Sequence, residues 1–224
     1  MQTSMLVVFD LDGTLIDSRA DLAASTNDTL VSFGAVPLPE EQVTSFVGEG
    51  ARVLVARALD AVALPPSQVD KALARFLDIY NTRLLDRTRP YDGVPAVLAH
   101  AQAAGAALGV ITNKPQSPTD RLLLAFGMAS TFQWVIGGDT AFARKPDPAS
   151  LQWVMDDAGC APERTLFVGD SPIDAETARA AGAAFCLAAY GFGQVRETTT
   201  LRPGEFQATT PLEITRAIDA MVAR

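Results

Sequence analysis

VVFDLDGTLID, residues 7–17, sets two acids one residue apart directly after an apolar run. The run begins at Met5 as MLVVF and is closed by Asp and Gly. Short, β-branched and continuous, it predicts a strand buried on both faces of a parallel sheet. Folding alone would not choose Asp10 and Asp12 for its end. Charged residues are rarely fully buried without a partner, and Asp and Gly are poor strand formers. Either the two acids form a plain turn or they belong to a reaction centre, and the ends of the other strands bear on the choice.

Runs of the same kind recur at 106–112 (AALGVIT), 133–136 (QWVI), 165–169 (TLFVG) and 184–188 (AFCLA). Helical patterns lie between the later ones, at 94–105, 117–127, 147–159 and 171–182, with Pro172 suited to a first helical turn. Strand alternating with helix predicts a parallel α/β sheet. Residues 18–85 break the rhythm. They offer no convincing strand but four helical stretches, at 19–33, 40–46, 51–59 and 67–85, broken by GAVPLP, VGEG and ALPPS. The expected division is a core of residues 1–17 and 86–224 and an all-helical second unit of residues 18–85. Two chain crossings, near 17–18 and 87–91, would form a hinge.

Composition narrows the function. The 224 residues, 48% hydrophobic and 20% charged, suit an ordinary globular protein. A net charge of −8 argues against nucleic acid as partner, because phosphate backbones need clustered Lys and Arg. A small anionic substrate stays compatible, since one local basic site can oppose the global sign. Cys160 and Cys186 sit in no metal-binding cluster and read as buried thiols of a reduced, cytoplasmic protein. No leader pattern and no membrane-length apolar run is seen, so no membrane partner is expected. His100, the single histidine, reads as structural. GFGQVR, residues 191–196, echoes a dinucleotide fingerprint but lacks its final glycine and a clear following helix.

Ligands of parallel α/β sheets bind beyond the carboxyl ends of the strands. The first strand is followed by Asp10, Asp12, Gly13 and Thr14, and the second by Thr112, Asn113 and Lys114. Lys145 lies in the loop after the third, and GDSPID with Asp170 and Asp174 follows the fourth. Four strand ends thus supply complementary polar groups. Two carboxylates 4 Å apart repel by about 4 kcal/mol at an effective dielectric of about 20. A convergent acid cluster therefore needs protons or a cation, and hard oxygen ligands with room for water and phosphate suit Mg²⁺. Lys145 would face a bound dianion. Each residue also has a plainer reading: a solvated loop lysine for Lys145, a helix-start acid for Asp174.

Together DLDGT, Thr112, Lys145 and GDSPID resemble the four motifs of the haloacid dehalogenase-like superfamily, and a helical insert after the first motif fits it too. Within it the chain is most similar to the bacterial phosphoglycolate phosphatase group. The stretches that carry this are FVGEGARVLV (46–55), YDGVPAVL (91–98), GVITNKP (109–115), VIGGD (135–139) and KPDPASL (145–151). The resemblance implies a Rossmann-like parallel-sheet core with an inserted all-helical cap. It implies a Mg²⁺-dependent phosphatase of small phosphorylated metabolites, with 2-phosphoglycolate as leading substrate, acting as a monomer or homodimer. Asp10 would be the nucleophile that forms an aspartyl-phosphate, and Asp12 the acid and then the base. Asp10, the Asp12 carbonyl and Asp170 would hold the metal, with Asp174 a ligand or support. Thr112, the Asn113 backbone and Lys145 would hold phosphoryl oxygens, and Gly13 would let the chain turn with positive φ.

The VGEG loop is the part of the insert expected to face the site. Glu49 and Arg52 are candidate substrate contacts, Arg52 as a fork for a substrate carboxylate or as a surface arginine on the next helix. A sugar phosphomutase, a phosphatase for another metabolite and a non-catalytic binding module are the alternatives. The dehalogenase branch lacks an acid at the place of Asp12. So does the phosphonate-cleaving branch, which uses an insert lysine, whereas the only lysine here in the insert, Lys71, is remote from VGEG.

Overall fold

The computed structural model describes residues 5–192 and 199–223. In chain order the strands are β1 (Leu6–Phe9), β2 (Ile16–Asp17), β3 (Arg89–Pro90), β4 (Ala107–Ile111), β5 (Trp134–Ile136), β6 (Thr165–Gly169), β7 (Ala184–Ala188) and β8 (Phe206–Ala208). Six of them form one sheet in the order β5-β4-β1-β6-β7-β8, every pairing parallel. This is the α/β architecture expected from the sequence. β1 sits inside the sheet with β4 and β6 on either side, so the loop after it opens at the middle of the carboxyl edge.

Strand periodicity sorts the core into two layers. Val7 and Phe9 face one side, where they join α5 (Val94–Ala103), α6 (Gln116–Ala125) and α9 (Ile214–Val222). Leu6 and Val8 face the other, against α7 (Ala149–Ala158) and α8 (Pro172–Ala181). Both faces of β1 are fully buried, which explains its unbroken apolar run. Cys160 and Cys186 are buried free thiols, as expected. No helix among the described residues is long and apolar enough to cross a membrane.

At the far edge of the sheet, two elements were not expected from the sequence. β8 extends the sheet at its β7 edge, and its three residues carry no apolar run to announce it. α9 follows it, with Ile214, Ala217, Ile218 and Met221 buried at helical spacing, a signal present in the sequence but passed over. His100 on α5 meets this helix, its Nε2 2.7 Å from Asp219 Oδ1.

Between β2 and β3 the chain forms four helices: α1 (Arg19–Ser32), α2 (Glu40–Thr44), α3 (Ala51–Ala61) and α4 (Val69–Arg83). Their apolar faces, including Leu30, Leu59 and Phe76, are continuous with the layer under α5 and α9. The two chain crossings are joined more firmly than a bare hinge. β2 and β3 pair antiparallel, Ile16 with Pro90 and Asp17 with Arg89. Asp21, in the first turn of α1 and 1% exposed, accepts from the Arg87 and Thr88 amides at 2.9 and 2.7 Å and from the Thr88 hydroxyl at 2.7 Å. One buried carboxylate thus ties the entry of the insert to its exit. Removing it strands buried donors, at about 1–3 kcal/mol each. Asp21→Ala is expected to lower unfolding free energy by about 3 kcal/mol or more, measured by urea denaturation; a loss under about 1 kcal/mol would refute the tie.

Candidate active site

β1 stops at Phe9, and the chain beyond it is held in a tight turn. The Asp10 amide still donates to Val168 of β6 at 2.9 Å. The Leu11 carbonyl then accepts from the Thr14, Leu15 and Ile16 amides, and the Gly13 amide donates to Ile16. Gly13 has φ +86°, and a Cβ there would lie 2.2 Å from Asp170 Oδ2. Glycine is needed twice over, for its backbone angle and for the approach of an acid. Gly13→Ala should therefore distort both DLDGT and the Asp170 side chain.

Asp10, Asp170 and Asp174 are all buried and can each offer an oxygen within 4.8 Å of the others. Asp170 Oδ2 accepts from the Phe192 amide at 3.0 Å. Asp174 opens α8, where it forms a capping box with Ser171. Its Oδ1 also accepts from Lys145 Nζ at 2.6 Å. The plainer reading of Asp174 as a helix-start acid and its place in the acid cluster hold together. Lys145 Nζ also lies 2.8 Å from Asp10 Oδ1 as an ion pair, but that oxygen accepts no well-aligned hydrogen bond among the described residues.

One lysine against three buried carboxylates leaves excess negative charge. The strain falls on Asp10: burial pushes its carboxyl up to about 6, Lys145 opposing and Asp174 reinforcing the rise. The donor set is all hard oxygen, and Asp10 Oδ1 lacks an aligned donor, so the cluster fits a divalent cation. The Asp12 side chain is engaged elsewhere. Its oxygens accept from Lys114 Nζ at 3.1 and 3.0 Å, and Oδ1 also from the Ser18 hydroxyl at 2.6 Å.

The remaining strand ends close around these acids. Thr112 is buried at the end of β4, its Oγ1 accepting from the Lys114 amide. Asn113 acts as a clamp. Its Oδ1 accepts from the Lys145 amide at 2.9 Å, while Nδ2 donates to the carbonyls of Lys145 and Gly48 at 3.0 and 2.9 Å. It thereby fixes both the catalytic-loop lysine and the VGEG loop of the insert. Asp10, Asp12, Thr112, Asn113 and Asp170 line one cleft with Gly48 and Gly50 of that loop.

Glu49 and Arg52, expected at the substrate, are not among the residues that line it. Glu49 pairs with Arg57 at 2.5 Å, and Arg52 reaches out to Asp70 on α4 at 2.5 Å, half exposed. The loop presents its backbone to the cleft, and these side chains pair with charges of the insert instead. Sequence reasoning named Lys114 at a strand end but gave it no role; it lies in the cleft with its ammonium on Asp12. Its place in TNK, directly after Thr112 and Asn113, was the available signal. GFGQVR extends past Phe192 into residues outside those described.

The raised Asp10 value sets a sign for stability. A folded value above 3.8 means the native state holds the proton more tightly, so this contribution is full below about 3.8 and lost as pH rises through 6. In metal-free protein, Asp10→Asn is therefore expected to raise the melting temperature at pH 8 relative to wild type, and to do so much less at pH 4. Thermal melts at the two pH values check this, and an equal effect at both would refute it.

A family model for haloacid dehalogenase-like hydrolases matches residues 7–188. A phosphoglycolate phosphatase of Pseudomonas putida is 43% identical over 195 residues, covering 85% of this chain and 71% of that protein. One of Rhodospirillum rubrum is 42% identical over 194 residues, covering 84% and 80%. Among solved structures, a predicted phosphoglycolate phosphatase from Haemophilus somnus superposes with a TM-score of 0.86 at 30% identity, covering 97% of this chain and 99% of that one. Motifs, fold and matches agree over most of the sequence, and the chain belongs to the haloacid dehalogenase-like hydrolase family.

Proposed function

We propose that the protein is a Mg²⁺-dependent phosphatase of small phosphomonoesters, with 2-phosphoglycolate as its leading substrate. The observation that carries this is the convergence of three strand-end loops on one buried, charge-unbalanced cluster: Asp10, Lys145, and the pair Asp170 and Asp174. The names of the relatives favour the substrate.

Asp10 Oδ attacks phosphorus, and the bond to the ester oxygen breaks. Asp12 gives its proton to the departing alkoxide. Water then attacks the aspartyl-phosphate, Asp12 takes its proton, and inorganic phosphate leaves with Asp10 restored. Covalent catalysis divides one difficult hydrolysis into two easier steps. Lys145, the Thr112 hydroxyl and the backbone N–H of Asn113 hold phosphoryl oxygens, since phosphoryl transfer depends on positioning and charge neutralisation. Asp10, Asp170 and Asp174 would hold Mg²⁺, with the Asp12 carbonyl as a further ligand. Bound there, the ion supplies Lewis-acid neutralisation of charge on the phosphoryl group. The different surroundings of the two acids, Lys145 beside Asp10 and Lys114 beside Asp12, support reading them as separate groups.

Purified protein with Mg²⁺ is expected to release inorganic phosphate from 2-phosphoglycolate with a higher kcat/KM than from sugar phosphates, nucleotides or pyrophosphate. EDTA should abolish turnover and Mg²⁺ restore it. Asp10→Asn should lose on the order of 10⁴-fold or more in kcat, the scale of removing a nucleophile, while circular dichroism stays native. No turnover of any ester by the wild type would end the phosphatase reading. Hexose 1-phosphate converted to its isomer without phosphate release would replace it with a mutase.

A further inference from the structure

Lys114 has no task in the reaction just described, yet it is placed as carefully as Lys145. Its side chain is 3% exposed. Nζ donates to both Asp12 oxygens and, at 2.6 Å, to the Tyr80 hydroxyl, and it lies 4.6 Å from the centre of the Tyr80 ring. Burial alone would lower this ammonium, but the Asp12 charge and the Tyr80 hydroxyl outweigh it and hold it above the ordinary lysine value. Tyr80 comes from α4 of the insert and is stacked on Phe76 at 5.5 Å, so core and insert each supply one member of the pair.

The pair sits in the cleft that holds Asp10, and Lys114 is the only cationic residue among the described residues lining it. Beside the acids and Thr112, Asn113 and Ser171, the cleft is lined by the apolar Leu22, Leu54, Phe76, Leu77 and Pro118. An anionic group entering such surroundings is costly unless a charged donor meets it. Burial pushes the Tyr80 hydroxyl up to about 12, so it keeps its proton. That proton is donated to no acceptor among the described residues while the oxygen accepts from Lys114. Lys114 and Tyr80 therefore place two donors, one charged, on the same cleft. Arg52, the sequence candidate for this role, points to Asp70 outside the cleft.

We propose that Lys114 Nζ and the Tyr80 hydroxyl form the subsite for a second anionic group of the substrate, a carboxylate close to the phosphoester. This rests on the phosphatase reading and names the residues that select its substrate. The ammonium has two alternative partners, Asp12 and the incoming carboxylate. A substrate that draws Lys114 toward itself frees an Asp12 oxygen to face the leaving oxygen. A neutral ester leaves Lys114 on Asp12. The carboxylate thus contributes to kcat as well as to KM.

The test uses the Mg²⁺-loaded protein and two non-hydrolysable probes, 3-phosphonopropionate and propylphosphonate, which differ by the carboxylate. Titration calorimetry should show the wild type preferring the former by about 10- to 100-fold, the range of a charge-assisted contact. Lys114→Met should reduce the preference to within about threefold, Tyr80→Phe should reduce it partly, and Lys114→Arg should restore most of it. Arg52→Ala should leave it unchanged. In turnover, the kcat/KM ratio of 2-phosphoglycolate to ethyl phosphate should collapse in Lys114→Met, with a share of the loss in kcat. A wild type that binds both phosphonates equally, or neither, overturns the subsite. So does a folded Lys114→Met that keeps the preference, or an Arg52→Ala that loses it. Should Lys114→Met not fold, an unchanged preference in Tyr80→Phe overturns it. Turnover of no ester at all would sink the phosphatase reading instead, while the binding preference would still decide the subsite.

Discussion

Buried carboxylates brought together at a sheet edge repel one another, and this repulsion governs the architecture around them. Two lysines answer it, each from a different loop: Lys145 lies between Asp10 and Asp174, and Lys114 lies across Asp12. Each cation requires its own support. Asn113 holds the Lys145 backbone at both its N–H and its carbonyl, and Tyr80 holds the Lys114 ammonium from the insert. The balance is incomplete on the Asp10 side, where the carboxyl is held well above its ordinary range. An acid cluster short of positive charge is a site ready to accept it, whether as protons or as a cation.

The large features of the fold were legible because they rest on local pattern. β1, β4, β6 and β7 are runs buried on both faces, and their continuous apolarity is unmistakable. Asp10, Asp12, Thr112, Lys145, Asp170 and Asp174 could be placed because strand ends of a parallel sheet meet at one edge. The ribbon of β2 and β3 was illegible: two residues per strand carry no periodicity. β8 was hidden for a similar reason, its three residues pairing at an edge without an apolar signature.

The site was legible in its position along the chain and less so in the direction of its side chains. Arg52 and Lys114 show the difference. Both are cations near a glycine- or proline-marked loop, and sequence offers no means of knowing that one meets Asp70 while the other meets Asp12. Partners 18 and 102 residues away decide the matter. The same holds for Asn113, whose side chain joins β4, the Lys145 loop and the insert at once. Its contribution is a three-way contact that no spacing rule encodes.

The joint at Asp21 and the β2–β3 ribbon bears on how this architecture varies. Asp17 and Arg89 pair across the ribbon, so the helical segment between them begins and ends at neighbouring points. The registers of β1 with β4 and β6 are set on the far side of that joint. Closing a longer or shorter segment between two fixed neighbours changes the entropy only as the logarithm of its length. The length of the helical segment between Asp17 and Arg89 thus bears little on the closure of the ribbon, and the strand ends that carry the acids and Lys145 are set apart from it.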